Sequence, residues 1–204
     1  MELRRGDLTQ PQCYHFLVSR AGYVLVGGRS TRMGQDKARL PFRGGTLVEF
    51  VARRVTEAAG SAVLVGDPAL YQEFGYPVIA DRYPGEGPLG GILTALDHTP
   101  ADWNLVVACD MPGLSVEFLK RLLDAAEQCP AQALLPVGPS GRPEPLCAMY
   151  HRRSRAGIEA AFQAGERKVT RALAGLPAET LAVGEVAEFQ NVNTPEEWAG
   201  YGRD

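Results

Sequence analysis

Apolar and polar positions along the chain alternate between two periods. Short apolar runs occur at Gly22 to Val26, Ala62 to Val65, Pro77 to Ala80 and, interrupted only by Asn104, Trp103 to Ala108. Runs of this length predict strands buried on both faces of a parallel sheet. Between them the spacing changes to that of amphipathic helices. Thr46-Leu47-Val48-Glu49 has capping-box spacing, Leu47, Phe50, Val51 and Val55 share one face, and Gly60 ends the segment. Leu70, Tyr71 and Phe74 predict a short helix, and Leu89 to Asp97 a longer one after the turn Tyr83 to Pro88. Ser115 is the predicted N-cap of a helix whose stripe is Phe118, Leu119, Leu122, Leu123 and Ala126.

Further on, Ala133 to Val137 and Leu146 to Tyr150 read as strands around a Gly/Pro-rich turn, followed by helical stretches at about 152–164 and 167–174. Phe189 to Asn193 reads as a short extended segment, and Thr194-Pro195-Glu196-Glu197 as the start of a last helix. Residues 1–20 are a mixed N-terminal extension of uncertain structure, and 21–204 are expected to form a single domain. Strand and helix alternating in this way predict an α/β, Rossmann-like three-layer fold with a mostly parallel central sheet. Right-handed crossovers then gather the loops after the strands on one edge, where such sheets bind ligands.

Composition narrows the function classes. With 204 residues, 45% hydrophobic and 22% charged, the chain can bury a core without disulfides or metal. A net charge of −3 argues against nucleic acid or membrane surface as partner. Cys13, Cys109, Cys129 and Cys147 are scattered, with no C-x-x-C pair, and read as reduced thiols packed as small hydrophobes. No long apolar span or signal-like N-terminus is present, and a cytoplasmic protein is expected.

The chemistry concentrates after the first strand, in Leu25-Val26-Gly27-Gly28-Arg29-Ser30-Thr31-Arg32-Met33-Gly34-Gln35-Asp36-Lys37. Glycines let backbone N–H groups approach a ligand, and Arg32 and Lys37 add positive charge, so a polyphosphate suits this loop. An ordinary Gly-rich connection between strand and helix is the plainer reading. Position 29, five before Gly34, is arginine, which excludes a P-loop, and Ser30 excludes the dinucleotide fingerprint.

Asp81 and Asp110 each follow a predicted strand on the same sheet edge. Asp110 can hold Mg²⁺, which prefers one or two carboxylates completed by phosphate oxygens and water. Asp81 can accept from the N–H groups of a base. Either aspartate can equally serve turn or cap chemistry. Asn191 and Asn193 are turn residues or neutral metal ligands. His15, His98 and His151 have no ligand-like spacing, and His98 reads as simply solvated. No nucleophile lies beside a plausible base in a known motif. That pattern suits transfer to a phosphate oxygen, already ionised at neutral pH, for which positioning and charge neutralisation suffice.

Taken in order, these segments resemble the molybdenum cofactor guanylyltransferase family, which has a nucleotidyltransferase fold. The likeness rests on Leu25 to Lys37, on Asp81 with Gly87-Pro88-Leu89-Gly90-Gly91, on Cys109-Asp110-Met111-Pro112, on Pro145 to Tyr150 and on Asn191-Val192-Asn193-Thr194-Pro195. It implies that Leu25, Val26, Gly27 and Gly28 frame guanine, that Lys37 contacts phosphates, and that Asp81 helps to bind the nucleotide. Asp110 would hold Mg²⁺ as well as the nucleotide, Asn193 would be a second metal ligand, and Arg32 would contact phosphate. Lys37, Arg32 and Asp110 are then the catalytic set.

The implied reaction joins GMP from GTP to the terminal phosphate of molybdopterin or molybdenum-molybdopterin and releases pyrophosphate. Transient contact with other cofactor-biosynthesis or molybdoenzyme-maturation proteins is implied too, with neither nucleic acid nor membrane as partner. Three positions depart from the family pattern. Val26 replaces a usual alanine, Val65-Gly66-Asp67 lacks an asparagine found in some members, and Glu144 replaces a common glutamine. Related enzymes that use CTP tend to have Ala-Gly at Gly27-Gly28, which favours GTP here. The alternatives are a CTP-dependent sister activity, another nucleotidyltransferase, and a nucleotide-binding partner protein without catalysis.

Overall fold

A computed structural model of the chain describes residues 19–27, 36–184 and 198. The strands are β1 (Arg20–Leu25), β2 (Pro41–Phe42), β3 (Gly45–Thr46), β4 (Val63–Val65), β5 (Val78–Ile79), β6 (Trp103–Ala108), β7 (Ala133–Val137), β8 (Cys147–His151) and β9 (Ala178–Ala182). The helices are α1 (Leu47–Ala59), α2 (Pro68–Tyr71), α3 (Pro88–His98), α4 (Val116–Glu127), α5 (Arg155–Gln163) and α6 (Val169–Ala172). Seven strands form one sheet in the order β5-β4-β1-β6-β8-β7-β9, and β2 pairs with β3 in a small hairpin. β8 alone among the seven runs antiparallel to its neighbours. The expected α/β architecture with a mostly parallel sheet is the one observed.

The period-2 alternation of buried strands decides which helix covers which face. Val24, Leu64, Leu105, Val107 and Met149 pack with α1 and α4 on one side. Tyr23, Val65, Val106, Ala148 and Tyr150 pack with α3, α5 and α6 on the other. Three layers follow. Local signals set the helix starts as expected: the Thr46 N–H donates to Glu49 Oε2 at 2.8 Å, and Ser115 Oγ accepts from Phe118 N–H at 3.1 Å.

Differences from the sequence reading have physical reasons. β1 begins two residues early at Arg20, because the carbonyl of Ser19 accepts from Asp102 and Trp103 N–H at 3.1 Å each and starts the ladder there. β9 escaped notice since it is an edge strand, paired only with β7 and mostly exposed, so no apolar run marks it. The β2–β3 hairpin contributes two residues per strand, too few for a periodic signal. The helical stretch after 167 resolves into α6 and a 3₁₀ turn at Leu173–Gly175. His98 is exposed as expected, yet it is not merely solvated: its Nδ1 lies 3.0 Å from Tyr23 Oη. Most of the 1–20 extension, the segment Phe189 to Asn193 and the helix start at Thr194 lie outside the described residues. No helix among those described is long and apolar enough to cross a membrane.

Leu122 is fully buried in the stripe of α4 against the α1 side of the sheet. Leu122→Ala should lower the unfolding free energy in urea by about 2–5 kcal/mol, the cost of a deleted core side chain plus its cavity. A loss under about 1 kcal/mol would mean that this stripe is not the core.

Candidate active site

The strand order reverses at β1, which has β4 on one side and β6 on the other. Open α/β sheets form their ligand crevice at such a point, beyond the carboxyl ends of the strands. The ladder fixes that crevice closely. Leu25 is in register with Ala108, and Cys109 N–H donates to the Leu25 carbonyl at 3.1 Å. The chain leaving β1 and the chain leaving β6 therefore emerge side by side.

Beside those exits, Lys37 and Asp110 come together. Lys37 Nζ donates to Asp110 Oδ2 at 3.1 Å, and both side chains are mostly buried. Lys37 opens a 3₁₀ turn whose N-cap is Asp36, with Oδ1 accepting from Ala38 N–H at 3.0 Å. Asp36 Oδ2 accepts from the Tyr71 hydroxyl at 2.8 Å, so α2 supports the turn from below. Burial and that hydrogen bond push the Tyr71 phenol up, which keeps it a donor at neutral pH. The Cys109 thiol is likewise pushed up, by burial first and then by Asp110, and stays protonated and unreactive.

The start of the glycine loop is shaped by close approach. Gly27 has φ of 85°, a conformation that side chains disfavour, and the chain turns there out of the sheet. Val26 is buried in the α1-side core, and its amide donates to the Val65 carbonyl at 3.0 Å. A Cβ on Gly66 would stand 2.6 Å from Val26 Cγ2 and 2.8 Å from its carbonyl oxygen. The extra bulk of Val26 over alanine is accommodated by that glycine. Asp67, in the stretch that lacks the asparagine of some members, has its Oδ1 engaged with Ala69 N–H at 2.9 Å as the N-cap of α2. Leu25 is half-buried and packs on the α3 side.

Asp81 follows β5, two strands from β1 and hence roughly 10 Å along the same edge. Its Oδ1 accepts from Tyr83 N–H at 2.9 Å and from the Thr94 hydroxyl at 3.0 Å. The expected turn chemistry is thus real, and it uses one oxygen; Oδ2 has no hydrogen bond among the described residues. Leu25, Val26, Gly27, Lys37 and Asp110 meet at the switch point, with Asp81 to one side. Gly28, Arg32, Asn191 and Asn193 lie outside the described residues. A cavity of about 410 Å³ lined by Asp102, Trp103, Glu127, Cys129, His151 and Arg153 lies at the opposite sheet edge, by the start of β6, and takes no part in this arrangement.

Sequence reasoning passed over three supports of the site: Asp36 as a cap, Tyr71 as its partner, and Thr94 behind Asp81. Only Thr94 left a signal, as a hydroxyl on an otherwise apolar helix face (Leu89, Ile92, Leu93, Leu96).

The comparisons with known proteins give the class: the chain is an α/β nucleotidyltransferase. The model of the MobA-like NTP transferase domain matches residues 22–179, and the chain belongs to that family. A Bacillus cereus relative named "Probable molybdenum cofactor guanylyltransferase" is 32% identical over 194 residues, covering 90% of this chain and 96% of its own. The crystal structure of molybdopterin-guanine dinucleotide biosynthesis protein A from Archaeoglobus fulgidus superposes with a TM-score of 0.77 at 29% identity, covering 89% of this chain and 96% of that one. A Mycobacterium tuberculosis structure with a TM-score of 0.73 and 21% identity, covering 90% and 97%, shares the fold.

Glu144 reaches this edge because β8 runs backwards and begins where β6 ends. Ala108 N–H donates to the Leu146 carbonyl at 2.7 Å, and Leu146 N–H donates to Glu144 Oε1 at 3.1 Å. Burial raises the Glu144 carboxyl above its ordinary value, and the charge of Asp110 adds to the rise, against the Leu146 N–H. As pH increases, the unfolded chain gives up this proton first. Glu144 therefore costs the fold stability at neutral pH, and the cost vanishes below the usual carboxylate range of about 4. Glu144→Gln keeps the acceptor for Leu146 and removes the charge. Its stability advantage over the parent, from denaturant titrations of the metal-free chains, should be larger at about pH 7 than at about pH 3.5. An advantage independent of pH would contradict the assignment.

Proposed function

We propose that this chain transfers GMP from GTP to the terminal phosphate of molybdopterin or molybdenum-molybdopterin and releases pyrophosphate. The observation that carries the reading is the Lys37–Asp110 pair at 3.1 Å at the switch point, in a chain whose relatives bear guanylyltransferase names. A phosphate oxygen of the acceptor attacks the α-phosphorus of GTP. One P–O bond forms, the bond to the bridging oxygen breaks, and the electron pair leaves on pyrophosphate. No proton needs to move at the attacking oxygen. The protein's work is to align two anions and to neutralise charge as it grows on the leaving group.

Lys37 supplies a mobile ammonium for the phosphates, held until then by Asp110. Arg32 is a further phosphate contact by resemblance. The donor chemistry of the site fits Mg²⁺: Asp110 is a carboxylate at the switch point with one oxygen on Lys37 and, among the described residues, the other open to a ligand. Mg²⁺ is the ion that accepts one or two carboxylates and takes its remaining ligands from phosphates and water. When bound it would draw charge from the phosphate oxygens, with Asp110 and by resemblance Asn193 as its protein ligands.

Leu25, Val26, Gly27 and Gly28 would border the base, with the free oxygen of Asp81 as acceptor for its N–H groups. Guanine offers a ring N–H beside an exocyclic amine, donors that a single carboxylate oxygen can accept, whereas cytosine has no ring N–H there. A CTP-dependent sister activity is the second reading, since the shape of the Gly27-Gly28 turn bears on the choice of base. Transient contacts with cofactor-handling proteins belong to the proposal as well, because the acceptor is a pathway intermediate.

Pyrophosphate release with each nucleoside triphosphate, with and without molybdopterin, tests the reading. Release should require GTP, molybdopterin and Mg²⁺ together and stop with chelator. Release with CTP alone would transfer the chain to the sister activity, and GTP binding without turnover on any acceptor would make it a binding protein. Lys37→Ala and Asp110→Asn should each lower kcat about 10²–10³-fold, the usual effect of removing one charge-stabilising group. Full activity in either variant removes that residue from the mechanism.

A further inference from the structure

We propose that Thr94 is a positioning residue for base recognition: its hydroxyl locks Asp81 so that one carboxylate oxygen is spent on the protein and the other is kept for the nucleotide. The proposal rests on the reading of Asp81 as a nucleotide contact. Thr94 lies on the buried face of α3 and is 2% exposed, one of few buried polar residues among those described. Its Oγ1 accepts from Arg82 N–H at 3.1 Å and lies 3.0 Å from both Asp81 Oδ1 and the Gly90 carbonyl.

A hydroxyl has a single proton to share between those two acceptors. The carboxylate is charged and makes the stronger bond. Donating to the carbonyl one turn back is the ordinary habit of a helical threonine, with no functional content. Geometry separates the two readings. Thr94 is tied to both Asp81 and Arg82 at the end of β5, so it joins that strand end to α3. With Tyr83 N–H at 2.9 Å on the same Oδ1, both lone pairs of that oxygen are engaged. The carboxylate plane is thereby fixed from two directions, by a backbone amide and by a hydroxyl on a helix. A carboxylate left to rotate would lose orientation entropy on every binding event.

The test is a double-mutant cycle read by binding and turnover. Isothermal titration of the acceptor-free chain with Mg·GTP gives Kd, and pyrophosphate release gives KM and kcat. Thr94→Val should raise Kd and KM for GTP about five- to tenfold, the worth of one positioned hydrogen bond, and leave kcat at saturating GTP within about twofold. Thr94→Ser, which restores the hydroxyl, should recover the parent values. In an Asp81→Ala background, Thr94→Val should add nothing further. Should Thr94→Val not fold, Thr94→Ala removes the same hydroxyl with a smaller side chain, and the melting temperature of each variant accompanies its Kd.

An unchanged Kd in the hydroxyl-deleted chain overturns the role of Thr94 while leaving Asp81 in the site. A penalty that persists undiminished without Asp81 does so too, since Thr94 would then act on the helix alone. Parent-like GTP binding by Asp81→Ala alone removes the aspartate from the nucleotide site, and the proposal with it.

Discussion

The parallel pairing of β1 with β6 is the constraint on which the rest of the site depends. Its register runs from Arg20 opposite Trp103 to Leu25 opposite Ala108, and one further bond, Cys109 N–H to the Leu25 carbonyl, sets where the two chains part. A slip of one residue would turn Val24 away from the α1-side core and Tyr23 away from the α3-side core. Both faces are buried, so that slip is strongly disfavoured. The same register that satisfies the core sets the end of β1 beside Cys109, the neighbour of Asp110.

Around this ladder the polar groups are arranged in pairs whose members come from different elements. Lys37 meets Asp110, Asp36 meets Tyr71, and Asp81 meets Thr94. In each pair a carboxylate at the sheet edge is held by a donor from elsewhere in the chain. The arrangement keeps acidic groups close to where phosphates are proposed to bind while limiting their freedom and, at Asp110, their charge. Partly buried charges without partners would be costly, and this pairing meets that cost within the protein.

Much of this was legible in the sequence because it depends on short-range rules. The apolar runs at Trp103 to Ala108 and Ala133 to Val137 became strands with those limits, and Ser115 became the cap it resembled. Asp81 and Asp110 could be placed on one edge from topology alone. What escaped was set by contacts distant in the chain. β9 is a strand only because β7 offers it an edge, and Glu144 nears Asp110 only because β8 reverses direction. Tyr71, read as an ordinary apolar helix position, is separated by 35 residues from the aspartate that it supports. No local pattern could report that pairing. The ordered motifs conveyed the family, and the side chains that brace them did not show until the chain was folded.

The reversal of β8 also divides labour between the two halves of the sheet. On the β5-β4-β1-β6 side the loops at the working edge leave the ends of strands, and Val26, Gly66 and Cys109 each still bond to the neighbouring strand. On the far side the edge includes a hairpin connection, 138–146, whose base is anchored by the Tyr150 hydroxyl on the Pro145 carbonyl at 2.7 Å and by the bridge from Val137 to Pro143. A hairpin loop can change length without disturbing the strands that it joins, because both strands are already paired elsewhere. One half of the working edge is therefore tied to the parallel ladder, while the other is a connection whose length the sheet does not dictate.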